Sequence, residues 1–114
     1  MSKPINIHKI DPLVINIDVE TRKNICFRRV IHTGINSQLV LMSIEPNTDI
    51  GAEVHYSSDQ FIKIEGGYGM IELHGVSYPI KTGISINIPS GTVHNIINTS
   101  LSEDLKLYTI YIQL

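Results

Sequence analysis

Residues 83–98 read GISINIPSGTVHNIIN, and the whole chain is best read outward from this stretch. ISINI (84–88) alternates apolar and polar residues with period two, the pattern of a strand with one buried face. Pro89, Ser90 and Gly91 then punctuate it as a turn, proline presetting φ and glycine taking conformations that other residues avoid. TVHNIIN (92–98) resumes the alternation, so His94, Ile96 and Asn98 share one face. A histidine opening a strand, on the same face as a core isoleucine, is set to look into the space the strands enclose.

The same alternation recurs in both directions, and helical spacing is nowhere sustained over three turns. Strands are expected at 25–32 (ICFRRVIH), 38–44, 60–65, 68–73, 76–81, 84–88, 92–98 and 105–112, separated by turn signals such as TGINS, EPNTDIG, HG and TSLSED. Many short, closely spaced strands make an all-β sandwich or barrel. Residues 1–20 fit an N-terminal arm or a short edge strand, and 21–114 the barrel itself, as a single domain.

Composition agrees. The chain has 114 residues, 42 % apolar and 18 % charged, which is globular rather than disordered. A formal net charge of −2 provides no basic field for nucleic acid or an anionic membrane. No apolar run approaches the roughly 20 residues of a membrane span, and no secretory signal opens the chain, so a cytoplasmic protein is expected. One cysteine, Cys26, excludes an internal disulfide; within an alternating apolar run it is expected to be a small buried hydrophobe.

The residues Gly83, Pro89, Gly91, His94 and Asn98 match the second cupin motif, G(x)5PxG(x)2H(x)3N, at every fixed position. The chain therefore resembles the cupins, whose fold is the double-stranded β-helix, a jelly-roll barrel. EVHYSSDQF (53–61) narrows the resemblance to small cupins often labelled mannose-6-phosphate isomerase-like, although Tyr56 replaces their usual proline. Members of that group commonly run on past the last strand, whereas this sequence ends at Leu114.

The first cupin motif resembles G(x)5HxH(x)3–4E(x)6G. With its closing glycine set at Gly67, its slots fall on Asn47, Glu53, His55 and Gln60. Asn47 replaces the opening glycine, and asparagine is the residue that most readily takes a left-handed turn in its place. The ligand set that the resemblance implies is Glu53, His55, Gln60 and His94, with the carboxylate moved from the third ligand position to the first. Parity is compatible with it: Glu53 and His55 share a side, and so do Gln60, Ile62 and Ile64. Two imidazoles and a carboxylate suit a divalent ion such as Zn, Fe, Ni or Mn. The competing reading is an apo barrel in which these side chains hydrogen-bond one another.

Other polar residues are weaker candidates. Arg28 and Arg29 are adjacent, so one of them faces inward and can contact an anion; Arg29 is carried as a pocket candidate. Tyr108 and Tyr111 have opposite parity, so one lines the mouth, and Tyr108 is carried for that role. Asn98 fits a pocket group and a turn cap equally. Asp59 and His74 are read as turn or surface residues, and His8 and His32 as structural or surface ones. Phe61, opposite in parity to the ligands, is an outward candidate for a homodimer interface.

The function expected is a metal-binding cupin acting on a small oxygenated molecule, a sugar or keto acid, by isomerase- or lyase-type chemistry. Glu53 is the candidate general base. The alternatives are a non-catalytic binding or sensing module and a metal-dependent dioxygenase, because one fold hosts many chemistries.

Overall fold

The computed structural model describes residues 11–114; His8 and the start of the expected arm lie outside them. Among the described residues, one helix, α1 (Ile17–Lys23), precedes eight strands: β1 (Arg28–Thr33), β2 (Ser37–Ile44), β3 (Ser58–Gly66), β4 (Tyr68–Leu73), β5 (Val76–Lys81), β6 (Ser85–Ile88), β7 (His94–Asn98) and β8 (Leu105–Gln113). The eight strands expected from alternation are all present, with ends shifted by a few residues at most. No helix among the described residues is long and apolar enough to cross a membrane.

The strands form a five-stranded sheet, β1-β2-β8-β3-β6, and a three-stranded sheet, β5-β4-β7, with every pairing antiparallel. Their inner faces meet in one apolar core. Val40, Met42, Ile44, Ile62, Ile64, Leu105 and Leu107 come from the larger sheet, and Ile71, Ile80 and Ile96 from the smaller. The alternation is visible in burial: on β3, Gln60, Ile62 and Ile64 are buried while Phe61 and Lys63 between them are only partly so. On β4, Gly69 faces β7 so closely that a Cβ would be driven into the Ile97 carbonyl. Asn47 has φ +57°, the left-handed turn expected of it.

The helix lies where an arm or an edge strand was expected. Seven residues are too few to show a helical period, so its support is local and tertiary. The Asn16 side chain accepts a hydrogen bond from Val19 N (3.1 Å), Asp18 and Glu20 occupy the first turn, and Arg22 and Lys23 the last. The helix packs on the outer face of β3 and β8 and covers Glu65, which is 6 % exposed.

Cys26 corrects an expectation. It is exposed, because β1 starts only at Arg28, and Ile25, Cys26 and Phe27 lie in the bend between helix and strand. Asn24 holds that bend by pairing with both the N–H (3.2 Å) and the carbonyl (2.8 Å) of Cys26, while the three side chains point outward.

Candidate metal centre

The Pro89–Thr92 turn is stitched to the segment before β3 and to the start of β3 itself. Gly91 N donates to the His55 carbonyl (2.7 Å), Ser90 N to Asp59 Oδ1 (2.9 Å), and Ser90 Oγ to the Tyr56 carbonyl (2.7 Å). Glu53 and His94 then exchange both backbone hydrogen bonds, at 2.8 and 2.9 Å, in an isolated antiparallel bridge. Directly opposed residues of such a pair project to the same side. The bridge therefore places the Glu53 carboxylate beside the His94 ring, and His55 follows two positions later on the same side.

The three side chains converge. One ligand atom from each of Glu53, His55 and His94 lies within 4.8 Å of the other two. Glu53 Oε1 is 3.8 Å from His55 Nε2 and 3.9 Å from His94 Nε2. Three donors at ~2.1 Å around a tetrahedral ion would stand about 3.4 Å apart, and the two Glu53 separations exceed that spacing by only about half an ångström. Glu53 has 42 % of its side chain exposed, whereas His94 is 1 % exposed.

Hydrogen bonding shows which nitrogen is available. His94 Nδ1 lies 2.9 Å from the Thr92 carbonyl, so Nδ1 carries the proton and Nε2 presents its lone pair. His55 Nε2 and His94 Nε2 are both buried without a hydrogen-bond partner, and so is Gln60 Oε1. Buried polar atoms are rarely left unpartnered, and three lining one small cleft fit an electrophile that the protein alone does not supply. The Gln60 amide nitrogen donates to Thr109 Oγ1 (2.9 Å), which leaves its oxygen as the free atom. The apo alternative of Glu53, His55 and Gln60 bonded to one another is not what the side chains do: the Glu53 separations are too long for hydrogen bonds.

The weaker candidates fall elsewhere. Arg29 lines a cleft with Leu13, Ile15, Glu20, Ile31 and Leu41 on the outer face of the sheet. Tyr108 is also outward, 6.3 Å from Phe61 by ring centroids and near Lys63. Their neighbours face the centre instead. Arg28 pairs in register with the core residue Met42, and the Tyr111 ring packs edge-on against His55 at 5.3 Å. Burial, and next the negative charge of Glu53, raise the Tyr111 pKa, while the Arg28 guanidinium at its hydroxyl opposes the shift. Tyr111 is thus a neutral hydroxyl donor at ordinary pH.

Asn98 is a clamp rather than a pocket group. Its amide nitrogen donates to the carbonyls of Ile44 (2.9 Å) and Glu103 (2.8 Å), and its oxygen accepts from Ser100 N (2.9 Å). His74 is an exposed turn residue with φ +50°, and His32 contacts the Asp11 carbonyl at 2.8 Å. A signal for Tyr111 was present in the sequence: Tyr108 shares parity with the charged Lys106, and Tyr111 with Leu105 and Leu107. No such marker separated Arg28 from Arg29.

A sequence profile of the family described as the Cupin domain matches residues 40–111. The chain belongs to the cupin family. An uncharacterized protein of Acanthamoeba polyphaga mimivirus is 48 % identical over 102 residues, covering 86 % of this cupin and 63 % of the relative. The uncharacterized protein YrkC of Bacillus subtilis is 39 % identical over 106 residues, covering 88 % of this chain and 56 % of its own. The chain thus spans about three fifths of the curated relatives it matches. The crystal structure of the Bacillus halodurans protein BH2720 superposes with a TM-score of 0.87 at 40 % identity, covering 91 % of this cupin and 83 % of that chain.

Proposed function

We propose that this cupin binds a divalent metal through Glu53, His55 and His94, with the Gln60 amide oxygen as the fourth donor, and acts on a small oxygenated molecule. The reaction class is isomerase- or lyase-type, on a sugar or keto acid. The observation that carries the reading is the pair of buried, unpartnered Nε2 atoms facing one carboxylate oxygen at 3.8 and 3.9 Å. Zn, Fe, Ni and Mn all suit this donor set. A bound cation would supply Lewis-acid polarisation of a substrate carbonyl.

The chain's own groups would do the rest. Glu53 is the most exposed of the three and can take a proton from the carbon next to that carbonyl through its second oxygen. The neutral Tyr111 hydroxyl, beside His55, can donate a hydrogen bond to a substrate oxygen. The test is exchange of the α-hydrogen for deuterium, followed by NMR with metal-loaded protein against sugars and keto acids. Exchange lost in Glu53→Gln supports the reading. A metal-loaded wild type that exchanges none of them supports a non-catalytic binding module.

A cytoplasmic location and a homodimer complete the proposal. Antiparallel sheets with open edges, here β1 and β6, commonly pair, and Phe61 offers an outer-face apolar contact. Light scattering showing a single 12.8 kDa species would contradict the dimer.

A further inference from the structure

Beside the candidate metal centre, the inner face of the larger sheet changes character within one pair of residues. Val30, Val40, Thr109 and Ile62 are in register across β1, β2, β8 and β3, and this row is almost wholly apolar. The next inward row toward the mouth is Thr33, Gln38, Tyr111 and Gln60, paired in the same strand order. Ser58 and Gln113 pair immediately beyond it. An uninterrupted belt of neutral hydrogen-bonding side chains therefore runs from the sheet edge to the cluster, ending at the buried, unpartnered Gln60 oxygen.

The belt lines a real cavity. Thr33, Gln38, Ser57, Ser58, Tyr111 and Gln113 border a space of about 220 Å³, and none of the residues around it is charged. Ser58 also borders the narrow cleft lined by His55, Gln60 and His94, so the cavity and the cluster are neighbours across this residue. Among the described residues, the only side-chain hydrogen bond within the belt outside Gln60 is Gln38 Nε2 to Thr33 Oγ1 at 3.2 Å. Sites for drug-sized ligands span ~300–1,000 Å³, so this one suits a smaller molecule.

We propose that this belt is a binding subsite for a neutral, polyhydroxylated ligand of monosaccharide size, which it holds with one end directed toward Ser58 and the neighbouring metal centre. Hydroxyl and amide groups both donate and accept, and so match the alternating character of sugar hydroxyls. A carboxylate or phosphate in this cavity would lose hydration with no cation among the residues that border it. Arg28, whose positive charge acts on the Tyr111 hydroxyl, does not border the cavity. The reaction at the ligand's far end rests on the metal-centre reading; binding along the belt does not.

The experiment is saturation-transfer NMR on the protein as purified and again after chelation. The probes are neutral monosaccharides and sugar alcohols, set against 2-keto acids and dicarboxylates. Wild type and Glu53→Gln are expected to bind the neutral hydroxylated compounds, and Gln38→Leu/Gln113→Leu to bind them roughly tenfold more weakly with an unchanged circular dichroism spectrum. Three results would overturn the subsite. One is binding of the acids alone, abolished by Arg28→Gln. Another is no binding by any neutral hydroxylated probe, and the third is equal binding by the double leucine variant. Belt binding that survives in a protein unable to take up metal would sink the metal-centre reading and leave this one standing.

Discussion

The two halves of the candidate centre are built differently. His94 opens β7, 1 % exposed, with its ring held by the Thr92 carbonyl and its strand hydrogen-bonded to β4. Glu53 and His55 sit in a segment without regular structure, joined to the smaller sheet only through single bridges at Asp49 and Glu53. One half is fixed by the core; the other is held by fewer hydrogen bonds and is more exposed. The contrast suggests a division of work, in which the rigid histidine sets where an ion sits and the looser carboxylate closes on it.

The rigid half can be broken from behind. Gly69→Ala would push a methyl group into the Ile97 carbonyl of β7, and backbone cannot yield as a side-chain end would. A loss of about 3 kcal/mol is expected, readable by urea denaturation. Asn98→Ala, at the far end of the same strand, removes three hydrogen bonds and strands the Ile44 and Glu103 carbonyls. It should cost about 2 kcal/mol. An unchanged midpoint for either variant would show that β7 is not the firm half.

Asp59→Ala sharpens the comparison at the seam. It removes the Ser90 N–H bond that ties the Pro89–Thr92 turn to the start of β3, at about 1 kcal/mol. If the rigid half depends on this tie, metal affinity should fall with stability; if affinity is unmoved, His94 is held by its own sheet alone.

The smallest effect is a control outside both halves. Burial beneath α1, the largest cause, and the neighbouring Asp18 carboxyl raise the Glu65 pKa above 4.5, against the opposing Lys63. A raised carboxyl pKa means the folded state binds more protons than the unfolded one just above pH 4.5, so stability falls as pH rises through that window. Relative to Glu65→Gln, the wild type should therefore lose stability from below pH 4.5 to above the raised value, by no more than about 1 kcal/mol. Metal content should be the same in both proteins.

The rigid half was also the legible half. Gly83, Pro89, Gly91, His94 and Asn98 are fixed by a turn and a strand, where local chemistry and spacing suffice to read them. In the looser half, spacing back from Gly67 pointed to Glu53 and His55, yet their segment is not the strand that parity assumed, whereas Gln60 does lie on β3. An isolated bridge to His94 does the work a strand would have done. What escaped the sequence were features set by long-range packing. The α1 helix is too short to show a period, and Cys26 is exposed because β1 starts late. The Arg28/Arg29 choice turned on the register with Met42, which only the folded sheet supplies.

The central claim is that Glu53, His55 and His94 hold a metal ion. Elemental analysis of the purified protein beside a Glu53→Ala/His55→Ala variant tests it most directly. The account predicts near-stoichiometric metal in the wild type and a folded variant that has lost it. A wild type that is metal-free and takes up neither Fe, Zn, Ni nor Mn would contradict it.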